Sequence, residues 1–135
     1  MIVIMGECMF KNLAIMIMLI MGILFSMLPT NHATDIWVQH WNTENRDIYV
    51  MDDTFSYGLS DTGKRFSISA KIVKNGKLEE VVTWHFSKYY NDMWRYYTNT
   101  MQRGHNTVVS APNGVFEYGI QRAKWYYERR NGYYY

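Results

Sequence analysis

From Arg65 to Val73 the chain alternates, with Phe66, Ile68, Ala70 and Ile72 on one side and Arg65, Ser67, Ser69, Lys71 and Val73 on the other. A period of two puts successive side chains on opposite faces of a strand, and here one of those faces is apolar enough to be buried. Lys74-Asn75-Gly76-Lys77 comes next, and then a second run from Leu78 to Ser87. Leu78, Val82, Trp84 and Phe86 fall on one face of that run, interrupted by Glu80. Glu79, Val81, Thr83, His85 and Ser87 fall on the other. Asn-Gly between two such runs specifies a tight hairpin, because both turn residues must accept positive φ.

Around this hairpin the remaining elements are shorter. Ile36 to Trp41 reads as a first strand, and Ile48-Tyr49-Val50-Met51 as a second, closed by Asp52-Asp53. Ser56 to Lys64 has the glycine, serine and aspartate content of a surface loop. Met93 to Met101 reads as a further strand and Thr107 to Ser110 as a short one, before the breaker Ala111-Pro112-Asn113-Gly114. Phe116, Ile120, Ala123 and Tyr127 then stand four, three and four apart, one face of a helix from about Val115 to Arg130. Ser110 or Asn113 is available to cap it, Gly132 to stop it, and Tyr133 to Tyr135 would be a tail or a flap over the sheet. The expected fold is α+β: an antiparallel meander of four to six strands, with one C-terminal helix burying its stripe on a sheet face.

Residues ahead of this domain have a different composition. Seven of the ten methionines lie in the first 27 residues, and none of the twelve tyrosines does. From Leu13 to Leu28 there is no charge, Lys11 precedes the run, and Pro29 ends it before Thr30 to Thr34. That is the layout of a secretory signal peptide over 1–33, cut after Ala33. The run has 16 residues, short of the roughly 20 that a membrane span needs, so a retained anchor is the second reading. The stretch before Met9 carries Glu7 and reads as an over-extended start, with Met9-Phe10-Lys11 as the natural leader.

Cys8 is the sole cysteine and lies ahead of the apolar run, so it cannot be a lipoprotein cysteine, which comes after such a run. The domain from 34 to 135 therefore has no disulfide, no thiolate metal site and no cysteine nucleophile. An exported domain without disulfides suits a bacterial periplasm or cell surface better than an animal secretory route. Within it lie 21 of the 23 aromatics, enough ring area to build a core unaided.

Catalytic patterns are sparse. His40, His85 and His105 show no metal-ligand spacing, and neither a metal nor a cofactor is expected. Asp52 and Asp53 are neighbours that a strand would point to opposite faces, so they do not form a facing carboxylate pair. Serines near His85 lack a nucleophile elbow, and the glycines are too scattered to cradle a phosphate. What stands out is aromatic rings interleaved with cations in Trp94-Arg95-Tyr96-Tyr97 and Lys124-Trp125-Tyr126-Tyr127. With 14 basic against 12 acidic residues and a net charge of +2, nucleic acid is not the expected partner. Sugar rings stack on Trp and Tyr, so an envelope glycan is one, and a protein partner is another. Trp84, Trp94, Tyr96, Tyr97 and Trp125 are the candidate contact residues, weighed against the alternative that they are core.

The stretches Ile48 to Phe55, Arg65 to Ile68 and Lys71 to Lys77 resemble a group of small exported bacterial domains of the surface-adhesin protein E type. The resemblance implies a signal peptide, an antiparallel sheet with a C-terminal helix, and adhesion as the function. Asp53-Thr54-Phe55 departs from the usual pattern of aspartate, serine and an aliphatic residue. No binding residue transfers. The expected protein is thus an exported, non-enzymatic envelope domain acting through surface contacts, touching a membrane only through its signal segment. The alternatives are a self-associating structural subunit, or a small periplasmic enzyme or inhibitor with its site on Ser56 to Lys64.

Overall fold

A computed structural model describes residues 12–17, 34–102 and 106–135. Residues 12–17 are helical and belong to a unit separate from the domain Ala33–Tyr135. The expected cleavage site and the alternative start at Met9 lie outside the described residues, as does His105.

Six strands form one antiparallel sheet in the order of the chain: β1 (Asp35–Trp41), β2 (Arg46–Ser60), β3 (Gly63–Lys74), β4 (Lys77–Tyr89), β5 (Arg95–Thr98) and β6 (Thr107–Val108). Helix α1 (Gly114–Ala123) comes next, then a two-stranded ribbon of β7 (Arg129–Arg130) and β8 (Tyr133–Tyr134). The fold is α+β.

The β3–β4 hairpin is built as its alternation requires. Asn75 and Gly76 take φ of 51° and 74°, and Phe66, Ile68, Ala70 and Ile72 are buried with Val82, Trp84 and Phe86 opposite them. Leu78 is the exception. Ile72 pairs with Glu80 but Val73 pairs with Leu78, so a bulge at Glu79 shifts the parity. Leu78 therefore leaves the buried face and is 57% exposed.

Helix α1 closes the buried side, touching β1, β2 and β3 through Val115, Phe116 and Ile120. Asn113 is its N-cap: the Asn113 Oδ1 accepts from the Phe116 N–H at 3.0 Å. At Gly119 the helix lies close on the sheet, since a Cβ there would lie 2.1 Å from the Phe66 ring. Each large apolar side chain buried in this layer contributes about 1.5–3 kcal/mol.

Several sequence expectations need correction. Ser56 to Lys64 is not a loop, because β2 runs to Ser60 and β3 starts at Gly63, leaving only Asp61 and Thr62 as the turn. Its small polar residues include the outward half of a strand, which need not be apolar. Asp52 and Asp53 likewise lie inside β2 and do not end it. The strand expected over Met93 to Met101 is only Arg95–Thr98, because Asn99 turns back and bonds Thr83 through both backbone N–H (3.2 Å) and side-chain Oδ1 (3.0 Å).

A further correction concerns the helix, which stops seven residues before Arg130, at Ala123, and is not C-terminal. Lys124 takes φ 58° and its N–H bonds Gln121 O, while Trp125 N–H bonds Ile120 O at 3.1 Å. This is a left-handed helix stop without glycine. Aromatic packing just beyond it holds the stop in place: Trp125 packs on Trp94 and Phe66, and Tyr127 packs on Phe116 and Tyr134. Gly132 (φ 79°) and Asn131 (φ 52°) make the β7–β8 turn and take no part in the helix stop. Tyr134 is no tail. It is fully buried, its hydroxyl accepts from the Asn113 N–H at 3.0 Å, and its carbonyl accepts from the Trp94 N–H at 2.9 Å.

Candidate functional site

The sheet has two unlike faces. Every buried residue of β2, β3 and β4 points to the α1 side, and none of the residues on the opposite face is buried. That open face carries the second half of the alternation: Ser67 and Ser69 from β3, Thr83, His85 and Ser87 from β4, and Ser56 from β2. Hydroxyls pair across the strands, Ser56 with Ser67 and Ser69 with Thr83, each at 2.8 Å. A bulge between Met51 and Ser56 makes room for this, and Thr54 stitches it: Oγ1 donates to Met51 O at 2.6 Å and accepts from the Ser69 N–H at 2.8 Å.

At one end of this face lies an open groove of about 480 Å³, with Ser56, Ser67 and Ser87 among its lining residues. His85 and Tyr97 form part of its wall. They are cross-strand partners, stacked with centroids 4.6 Å apart and planes 16° from parallel, and Tyr97 is 47% exposed. Arg65 lies across Gly58, whose missing side chain leaves the room: a Cβ there would be 3.0 Å from Arg65 Nε. Among the described residues Arg65 has no carboxylate partner. The groove thus combines a flat aromatic platform, hydroxyls able to donate or accept, and a guanidinium that only donates. Among the described residues no serine is hydrogen-bonded to His85, and no three His, Cys, Asp or Glu side chains converge.

The far end of the open face is organised around Asp47. Its Oδ1 accepts from Trp37 Nε1 and meets His40 Nδ1, both at 2.9 Å. The Trp37 indole, aided by the His40 ring, holds the Asp47 carboxyl below the usual carboxylate range. Trp37 itself is 54% exposed.

On the helix side, Asp52 clamps α1 to β2. Its Oδ1 accepts from Tyr118 Oη at 2.6 Å and from Arg122 Nε at 3.0 Å. The Tyr118 bond, with a smaller share from Arg122, holds the Asp52 carboxyl low against the opposing effect of burial. Burial and the same bond push the Tyr118 hydroxyl up to about 12.

The five aromatics singled out from the sequence are not brought together. Trp94 (1% exposed) and Trp84 (7% exposed) are core, a correction to their role as contacts, since neither has a face to offer. Tyr96 is half-buried against Trp84 and Phe86. Trp125 is half-buried between Trp94 and Tyr57, with Lys64 Nζ 5.5 Å from its ring centre. Only Tyr97 stands on the open face, because the pleat sends Tyr96 and Tyr97 opposite ways. Arg65, Ser56, Ser67 and Ser87 were not singled out, although the outward half of the β3–β4 alternation marked three of them. Compared with family models, curated proteins and solved structures, the chain matches none.

Proposed function

We propose that this is an exported, non-enzymatic domain of the bacterial cell envelope, adhesin-like in acting by surface contact, and that it lays its open sheet face on an envelope glycan. The observation that carries this reading is the groove where the Tyr97–His85 stack, paired serine hydroxyls and Arg65, which has no carboxylate partner among the described residues, meet on the sheet face opposite α1. A pyranose offers an apolar face to a ring and hydroxyls around its rim. The groove offers the complement of both, and Arg65 suits an acidic substituent. The hydroxyls bond one another, which suits a surface that adapts to a ligand better than it suits an activated nucleophile.

Sedimentation with purified peptidoglycan sacculi tests the reading. The wild-type protein is expected to pellet, and Tyr97→Ala to lose at least tenfold in affinity, about 1.4 kcal/mol, with unchanged folding. Wild-type protein that stays in the supernatant, or a Tyr97→Ala variant that pellets equally, contradicts it.

A further inference from the structure

A separate site lies at the other end of the β3–β4 pair from the Asn75–Gly76 turn. Lys64 and Lys88 are register partners there, on the α1 side of the sheet but beyond the core. Like charges directly opposite one another on a sheet destabilise it. Among the described residues neither lysine has a carboxylate within salt-bridge distance. Lys88 is half-buried, and burial, then the charges of Lys64 and Arg130, push its ammonium down, with Glu128 opposing. Glu128 is itself 3.5 Å from Arg130, so it answers that cation first. An opening of about 340 Å³ runs beside the lysine pair, lined also by Thr62, Tyr90 and Asn91, with Asp61 the one carboxylate among its lining residues.

We infer that Lys64 and Lys88 bind a phosphate group, carried as a free phosphate or on a lipid headgroup. Two cations stand opposite one another with no carboxylate partner among the described residues, Lys64 having only the face of the Trp125 ring at 5.5 Å. Next to an opening with hydroxyl and amide donors, they are relieved by an anion seated between them. Lysines act as point charges suited to a tetrahedral phosphate, whereas flat carboxylates are matched by the arginine fork. The site does not depend on the glycan reading, since none of its lining residues lies in the groove beside Tyr97.

Thermal unfolding of the full chain, with inorganic phosphate replacing chloride at constant ionic strength, tests the inference. The wild-type midpoint rises with phosphate, because a ligand of the native state stabilises it. Lys64→Gln and Lys88→Gln each melt no lower than wild type in chloride, and each needs at least about tenfold more phosphate for the same rise. Lys64 is exposed, so its variant keeps the test readable if Lys88→Gln folds poorly. Co-sedimentation with phosphatidylcholine vesicles, with and without phosphatidylglycerol, separates the sources: lysine-dependent binding to the anionic vesicles alone assigns the phosphate to a headgroup. A phosphate rise of equal size in both variants is a general salt effect and overturns the inference. So does the absence of any response to phosphate or to anionic vesicles.

Discussion

Single residues here divide by which way the pleat sends them. Trp94 contacts Phe66, Phe116 and Trp125 and is closed off from solvent. Trp94→Ala should cost about 3–5 kcal/mol in denaturant unfolding, whereas Tyr97→Ala on the open face should cost little. Equal losses would mean that Tyr97 is structural. The Asp52–Tyr118 bond gives a pH signature of its own. The Asp52 carboxyl is held below its ordinary 3.8, so its contribution is full above that pH and is lost as pH falls through the lower native value. Tyr118 is raised from 10.0 to about 12, so its contribution is full below pH 10 and is lost as pH rises through about 12. Asp52→Asn should therefore lower stability by about 1 kcal/mol near neutrality, a modest figure because the carboxylate is partly solvated. That deficit should shrink in acid as the wild-type carboxyl protonates, and unfolding followed from pH 7 down to 2 checks it. A deficit constant across that range would show that the clamp is not ionic.

At the scale of elements, local signals were legible where they agreed with packing and misleading where packing overrode them. Alternation over Arg65 to Val73 and the Asn75–Gly76 turn specify a hairpin without help from elsewhere, and that hairpin forms. The helix shows the opposite case. Tyr127 continues the spacing of Phe116 and Ile120, yet it reaches Phe116 from an extended segment after the left-handed Lys124. Nothing in the local pattern distinguishes a fourth helical turn from a ring folding back on the helix. Asn131-Gly132 is the same hairpin signal as Asn75-Gly76, and a helix extended over Arg129 and Arg130 hides its meaning. The contact between α1 and β3 is tight enough to test. Gly119→Ala should destabilise by about 1–3 kcal/mol through the clash with Phe66, although alanine favours helices. A gain in stability would show that α1 has room to move off the sheet.

Across the whole molecule, the fold class was readable because it depends on periodicity, whereas the site was mostly not. The sequence directed attention to aromatic clusters, and aromatic residues are what a disulfide-free core of this size is made from. Trp84 and Trp94 went to that core, and only Tyr97 reached the face that α1 leaves uncovered. The better pointer was the quiet half of the alternation, Ser67, Ser69, Thr83, His85 and Ser87, a polar stripe on strands whose other face is apolar from Phe66 to Ile72 and from Val82 to Phe86. Arg65 gained its place only when Gly58 came to lie opposite it across the β2–β3 ladder.

The most direct measurement is an amide NMR titration of the protein with soluble glycan fragments released from peptidoglycan. A glycan seated on the open face predicts shifts at Ser56, Ser67, His85 and Tyr97, with α1 and the β7–β8 ribbon unmoved. Shifts confined to the α1 side, or none at millimolar fragment, would contradict it.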